Sequence, residues 1–154
     1  MKELTEQVVV TKPATHQDEH VPSSVTLSVV VPLYNEELVI RAMYERLTAA
    51  LERCVSSYEI ILVNDGSRDR TLELAQEICR TDRRVKLINF SRNFGHQIAI
   101  TAGMDRCRGL AIVVIDADLQ DPPEVIAEML EKWRQGYHVV YGVRTHRKGE
   151  TWFK

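Results

Sequence analysis

The stretch Leu110-Ala111-Ile112-Val113-Val114-Ile115-Asp116-Ala117-Asp118-Leu119-Gln120-Asp121-Pro122-Pro123 passes from an unbroken apolar run to a cluster of acids and then to two prolines. The run Leu110–Ile115 has the length of a strand and offers no polar face, as expected of a strand buried on both sides. Pro122 and Pro123 open a helix, because proline's missing N–H has no partner to lose in a first helical turn. Ile126, Met129, Leu130 and Trp133 then recur at helical spacing. The order is strand, acidic turn, helix.

The same grammar extends to both sides. Leu27–Val31 is a short apolar run interrupted by Pro32. The spacing predicts a helix over Glu36–Cys54, with Leu38, Ala42, Leu47 and Leu51 on its apolar face. Asn35 is placed to cap that helix, and Glu36 and Glu37 suit its positive end. Tyr58–Val63 is a second strand, closed by the turn signal Asn64-Asp65-Gly66-Ser67. Thr71–Cys79 carries Leu72, Ala75 and Ile78 on one helical face. Val85–Phe90 is a third strand. Gly95–Cys107 is a helix in which Gly103 is a weak point. Leu110–Ile115 is the fourth strand and Val139–Tyr141 the fifth. Buried-type strands alternating with helices indicate βαβ units, an α/β fold and a mostly parallel sheet.

Residues 1–24 mix Thr, Ser, Pro, His and charge without periodicity and are read as a flexible leader; Val8–Val10 is a short run that could add an edge strand. Residues 25–154 form the folded part. Little follows the fifth strand, so the expectation is a truncated domain. Apolar residues make up 44% of the chain, enough for a core. The net charge of -2 gives no support to nucleic-acid binding, which favours a basic excess. Cys54, Cys79 and Cys107 are scattered, with no C-x-x-C pair, and read as thiols in a reducing compartment. No apolar run has the roughly 18–20 residues needed to span a bilayer, so the chain as written is expected to be soluble.

Ligands of open parallel sheets sit beyond the carboxyl ends of the strands. The segments there are Pro32-Leu33-Tyr34-Asn35-Glu36, Asn64-Asp65-Gly66-Ser67, Ser91-Arg92-Asn93-Phe94-Gly95, Asp116–Asp121 and Gly142-Val143-Arg144. In extended backbone, Asp116 and Asp118 point to the same side. Two carboxylates with phosphate oxygens and water suit Mg2+ or Mn2+. Gln120 repeats the alternation and adds a neutral oxygen. The competing reading is a solvated acidic turn that caps the next helix. Asp65 suits a ribose hydroxyl or a base N–H, or else an Asx turn with Gly66. Tyr34 can stack on a base or pack locally. Asn35 and Glu36 can reach the crevice or cap a helix. Arg144, with Arg147 and Lys148, can clamp phosphate through its planar fork. His96, near a helix start, is read as structural or capping rather than as a general base. A G-x-x-x-x-G-K-[ST] loop, a G-x-G-x-x-G loop and a nucleophile elbow are all absent from the sequence.

Val31-Pro32-Leu33-Tyr34-Asn35-Glu36, Val63-Asn64-Asp65-Gly66-Ser67 and Asp116–Pro123, in this order and spacing, resemble the signature set of family-2 glycosyltransferases. Ser91–Gly95 and Gly142-Val143-Arg144 resemble the polyprenyl-phosphate branch, the dolichol-phosphate mannose synthases and bactoprenol glucosyltransferases. The resemblance covers about residues 27–154. It implies a Rossmann-like GT-A nucleotide-sugar-binding sheet, with residues 25–154 as the donor-binding part of a catalytic domain. It implies inverting transfer of a hexose from a UDP- or GDP-sugar to a polyprenyl phosphate, at the cytoplasmic face of a membrane. By motif position, Pro32, Tyr34, Asn35, Glu36, Val63, Asp65 and Ala117 would hold the donor. Asp116 and Asp118, the candidate catalytic residues, would hold Mg2+ or Mn2+ with Gln120, and Arg144 would contact phosphate. A phosphate acceptor is already anionic and needs no strong base, whereas a hydroxyl acceptor does. Two other readings stand beside this one. One is a family-2 enzyme with a hydroxyl acceptor in glycan synthesis. The other is a receiver-like module that binds metal or nucleotide without catalysis.

Overall fold

The computed structural model describes residues 9–11 and 25–142. A six-stranded sheet runs in the order β4-β3-β2-β5-β1-β6. Its strands are β1 (Val9–Thr11), β2 (Leu27–Leu33), β3 (Tyr58–Asn64), β4 (Val85–Asn89), β5 (Ala111–Val114) and β6 (Val139–Tyr141). The helices are α1 (Ile40–Cys54), α2 (Thr71–Thr81), α3 (His96–Met104) and α4 (Ile126–Arg134), the last entered through a 3-10 turn at Pro123–Val125. β4, β3, β2 and β5 are parallel. The expected α/β class and mostly parallel sheet are what the chain adopts.

Side-chain alternation along the strands builds two cores, because successive residues face opposite sides of a sheet. Leu27, Val29, Val31 and Leu33 of β2, with Ile60 and Leu62 of β3, meet α1, α2 and α4 through Met43, Leu47, Leu51, Ala75, Ile78, Met129 and Leu130. The intervening residues Val30, Ile61 and Val63 meet α3 through Ala99. Residues buried on both faces explain why β2, β3 and β5 read as continuous apolar runs. β4 lies at the edge, and only Val85 of its residues is fully buried.

Four local expectations are corrected. The first helix begins at Ile40 rather than Glu36, and Asn35 does not cap it. Val39 holds the cap position without a side-chain bond. Leu38, expected on the apolar face, is 92% exposed, and Ile40, Met43, Leu47, Ala50 and Leu51 form the buried face instead. Gly103 is required by packing. A Cβ there would stand 2.4 Å from Cγ1 of Val30, so its hydrogen lets α3 lie close on β2. Val9–Thr11, inside the stretch read as a leader, forms a strand, and that strand is not an edge. It pairs antiparallel with β5 on one side and with β6 on the other.

Among the described residues, no helix is long and apolar enough to cross a membrane.

Candidate functional site

β2 and β3 end level with each other, and β5 ends three residues short of them on the other side of β2. Val30 stands opposite Val114 and Leu33 opposite Asn64 in the sheet register. The segments that follow the three strands therefore converge on one crevice, a cavity of about 400 Å³. Pro32, Leu33, Tyr34 and Glu36 line it from β2 and its following turn, and Asp65 from the end of β3. Asp116, Ala117 and Asp118 line it from β5, and Asn93, Gly95, His96 and Ala99 from the approach to α3 and α3 itself.

Most of the residues singled out in the sequence meet here: Pro32, Tyr34, Glu36, Asp65, Asp116, Ala117 and Asp118. Val63 does not line the cavity and packs instead in the core beneath α3. Asn35 is turned away, with φ of 59° and its Oδ1 accepting from the N–H of Arg68 at 2.9 Å. Arg144, Arg147 and Lys148 lie outside the described residues. Asn93 and Gly95, from the strand-end segment Ser91–Gly95, and His96, read from sequence as structural or capping, also line the cavity, although none of the three was assigned a ligand role. Nε2 of His96 is 3.6 Å from Oδ1 of Asp116.

The strand-alternation reading of the two aspartates is corrected. β5 ends at Val114, and residues 117–118 form a turn. Leu119 has φ of 61°, and Oδ1 of Asp118 accepts from the N–H of Gln120 at 3.0 Å. The two carboxylates share the cavity because a turn brings them there, and Gln120 is not among its lining residues. This turn also leads into the Pro123 helical entry, so part of the competing reading holds: the acidic segment is a local turn as well as a cavity wall.

The Asx turn expected at Asp65 belongs to its neighbour. Oδ1 of Asn64 accepts from the N–H of Ser67 at 3.4 Å. Asp65 is buried, with Oδ1 accepting from the N–H of Phe94 at 2.7 Å and Oδ2 from the N–H of Gly95 at 2.9 Å. It ties the turn after β3 to the segment before α3. Gly66 makes this approach possible. Its φ is 66°, and a Cβ on it would stand 2.3 Å from the carbonyl carbon of Arg92.

The crevice is electronegative. Burial raises the Asp116 carboxyl above its ordinary range; His96 opposes the shift, while Asp118 and Asp121 add to it. Burial also raises Glu36, and the charges of Asp118, Asp116 and Asp69 add to that rise. Carboxylates that repel one another in a concave site fit a hard divalent cation, whose charge removes the repulsion. Among the described residues, no group of three His, Cys, Asp or Glu side chains is arranged to hold a metal alone. The donor set fits a cation that takes further oxygens from a bound phosphate.

A crevice at the strand ends, on a parallel sheet flanked by helices on both faces, is where open α/β proteins bind their ligands. The chain belongs to glycosyl transferase family 2, whose model matches residues 28–154. It is 65% identical over 127 residues to the uncharacterized glycosyltransferase YkcC of Bacillus subtilis (strain 168), over 82% of this chain and 39% of that one. It is 42% identical over 127 residues to the undecaprenyl-phosphate 4-deoxy-4-formamido-L-arabinose transferase of Pseudomonas aeruginosa (strain LESB58), over 82% of this chain and 38% of that one. The chain thus spans about two fifths of the length of the curated relatives it matches. Among solved structures it resembles the mannosyltransferase PcManGT of Pyrobaculum calidifontis in complex with GDP-Man and Mn2+. That TM-score is 0.58 at 19% identity, over 71% of this chain and 33% of that one. The likeness is one of fold, and the fold is GT-A.

Proposed function

We propose that this chain is the donor-binding part of an inverting glycosyltransferase that moves a hexose from a UDP- or GDP-sugar to a polyprenyl phosphate. The observation that carries the reading is the convergence of Tyr34, Glu36, Asp65, Asp116 and Asp118 on one cavity at the strand ends. Tyr34, half exposed at the rim, would stack on the base. Asp65 retains lone pairs beyond those given to Phe94 and Gly95, and these would accept from the nucleoside.

Asp116 and Asp118 would hold Mg2+ or Mn2+; Gln120, which does not line the cavity, is left out of this ligand set. When bound, such a cation would neutralise the charge that builds on the leaving diphosphate. Arg144 would contact phosphate of donor or acceptor. The lipid-phosphate acceptor rests on the relative named for undecaprenyl phosphate. It also rests on chemistry: an acceptor already anionic at neutral pH asks for no strong general base. Such an acceptor is a membrane lipid, so the whole protein would work at a membrane surface, in this reading the cytoplasmic one.

Calorimetric titration with UDP-glucose and GDP-mannose, with and without Mn2+, tests the reading. Metal-dependent binding of one of them is expected. Binding of neither would sink it. In the full-length protein, Asp118→Ala should abolish transfer to a polyprenyl phosphate, and retained activity would refute the metal role.

A further inference from the structure

We propose that Asp69 and Thr71 are positioning residues that set the turn carrying Tyr34 and Glu36 into the donor cavity. The inference rests on the donor-site reading above.

The turn after β2 has no helix to hold it, since α1 begins only at Ile40. Its backbone N–H groups are taken instead by side chains from the segment leading into α2 and from the first residue of α2. The N–H of Asn35 donates to Oγ of Ser67 at 3.0 Å. That of Glu36 donates to Oγ1 of Thr71 at 2.7 Å, and that of Glu37 to Oδ2 of Asp69 at 3.1 Å. Return bonds run from the N–H of Arg68 to Oδ1 of Asn35 and from the N–H of Arg70 to Oε2 of Glu37.

Asp69 also decides which way the Thr71 hydroxyl points. That hydroxyl donates its one proton to Oδ1 of Asp69 at 2.6 Å, while the N–H of Thr71 reaches the same oxygen at 3.0 Å. With its proton committed, the Thr71 oxygen can only accept, and it accepts from Glu36. Thr71 is fully buried, so water does not substitute for it. An amide at position 69 breaks this relay in either orientation. If its NH2 faces Thr71, the N–H and the hydroxyl proton of Thr71 both lose their acceptor, and the hydroxyl is no longer oriented toward Glu36 by Asp69. If its NH2 faces Glu37, that N–H loses its acceptor. One backbone donor, that of Thr71 or that of Glu37, is orphaned in either case, and the link between the turn and the start of α2 is weakened.

The test compares Asp69→Asn, Thr71→Val and Thr71→Ser in the full-length protein, with UDP-glucose and GDP-mannose as probes. Asp69→Asn and Thr71→Val should raise the KM for the nucleotide sugar on the order of tenfold, with kcat changed by about twofold or less. Thr71→Ser, which keeps the hydroxyl, should restore the wild-type KM. A purely structural role would lower thermal stability in Thr71→Val without this split and without the serine rescue. Unchanged KM in folded Asp69→Asn, or a serine variant as impaired as the valine one, overturns the proposal. Should Asp69→Asn not fold, the serine and valine pair decides alone. Wild-type protein that binds neither nucleotide sugar removes the donor-site reading and this inference with it. Wild-type binding with unaffected variants removes this inference only.

Discussion

Oδ1 of Asp65 accepts a hydrogen bond of 2.7 Å from the backbone N–H of Phe94, across 29 residues of sequence. With the second bond to Gly95, it makes one buried carboxylate the tie between two walls of the cavity. Asp65→Asn leaves one of those N–H groups facing an amide donor. The expected cost is about 1–3 kcal/mol of stability, read as a lower urea midpoint. Hydrogen exchange at Phe94 and Gly95 should quicken selectively. Exchange unchanged at both amides would remove Asp65 from this role.

The contact between Gly103 and Val30 predicts a coupled pair. Gly103→Ala places a Cβ 2.4 Å from Cγ1 of Val30 and should destabilise by about 1–3 kcal/mol through overpacking. Val30→Ala removes the obstructing methyls while losing buried area of its own. The double variant should therefore be more stable than the sum of the two losses predicts, with a coupling of about 0.5–3 kcal/mol. Chemical denaturation of the four proteins measures it, and strict additivity would contradict the contact.

A third expectation concerns pH. Glu59 is 3% exposed at the start of β3. Burial alone would raise its carboxyl. Bonds from Lys86, from Oγ of Ser28 at 2.7 Å and from the N–H of Arg108 at 2.7 Å outweigh burial and hold it below the usual range. A carboxyl depressed in the folded state stabilises fully above its unfolded pKa, about 4.3. That stabilisation is lost as pH falls through the lower folded value. Glu59→Gln should be less stable than wild type at pH 7, and the gap should close toward pH 3. Denaturant midpoints at the two pH values check this; a constant gap would show that ionisation of Glu59 contributes nothing.

The parallel strands and their order of appearance were legible because burial on both faces leaves an unbroken apolar run, as in Leu27–Val31 and Leu110–Ile115. Leu38 misled for a matching reason. Its spacing fits a helix, but the chain at 35–39 is held by Ser67, Asp69 and Thr71, which lie more than 30 residues away. Asn35 was read as a cap when its side chain bonds Arg68 instead. Local pattern carries no term for such partners. His96 was set aside because nothing nearby in sequence marks its approach to Asp116.

By itself the sequence determined the α/β class, the acids at the strand ends and membership of the family, since these depend on residue type and spacing along one chain. Tertiary structure alone decided which of those residues face one another. Asp116 and Asp118 share the cavity through a turn rather than through strand alternation. Asp65 serves the Phe94–Gly95 backbone as well as the crevice. Val9–Thr11 enters between β5 and β6. Each of these is a pairing between segments distant in the chain, and hydrogen bonds and burial select such pairings only once the sheet has brought the segments together.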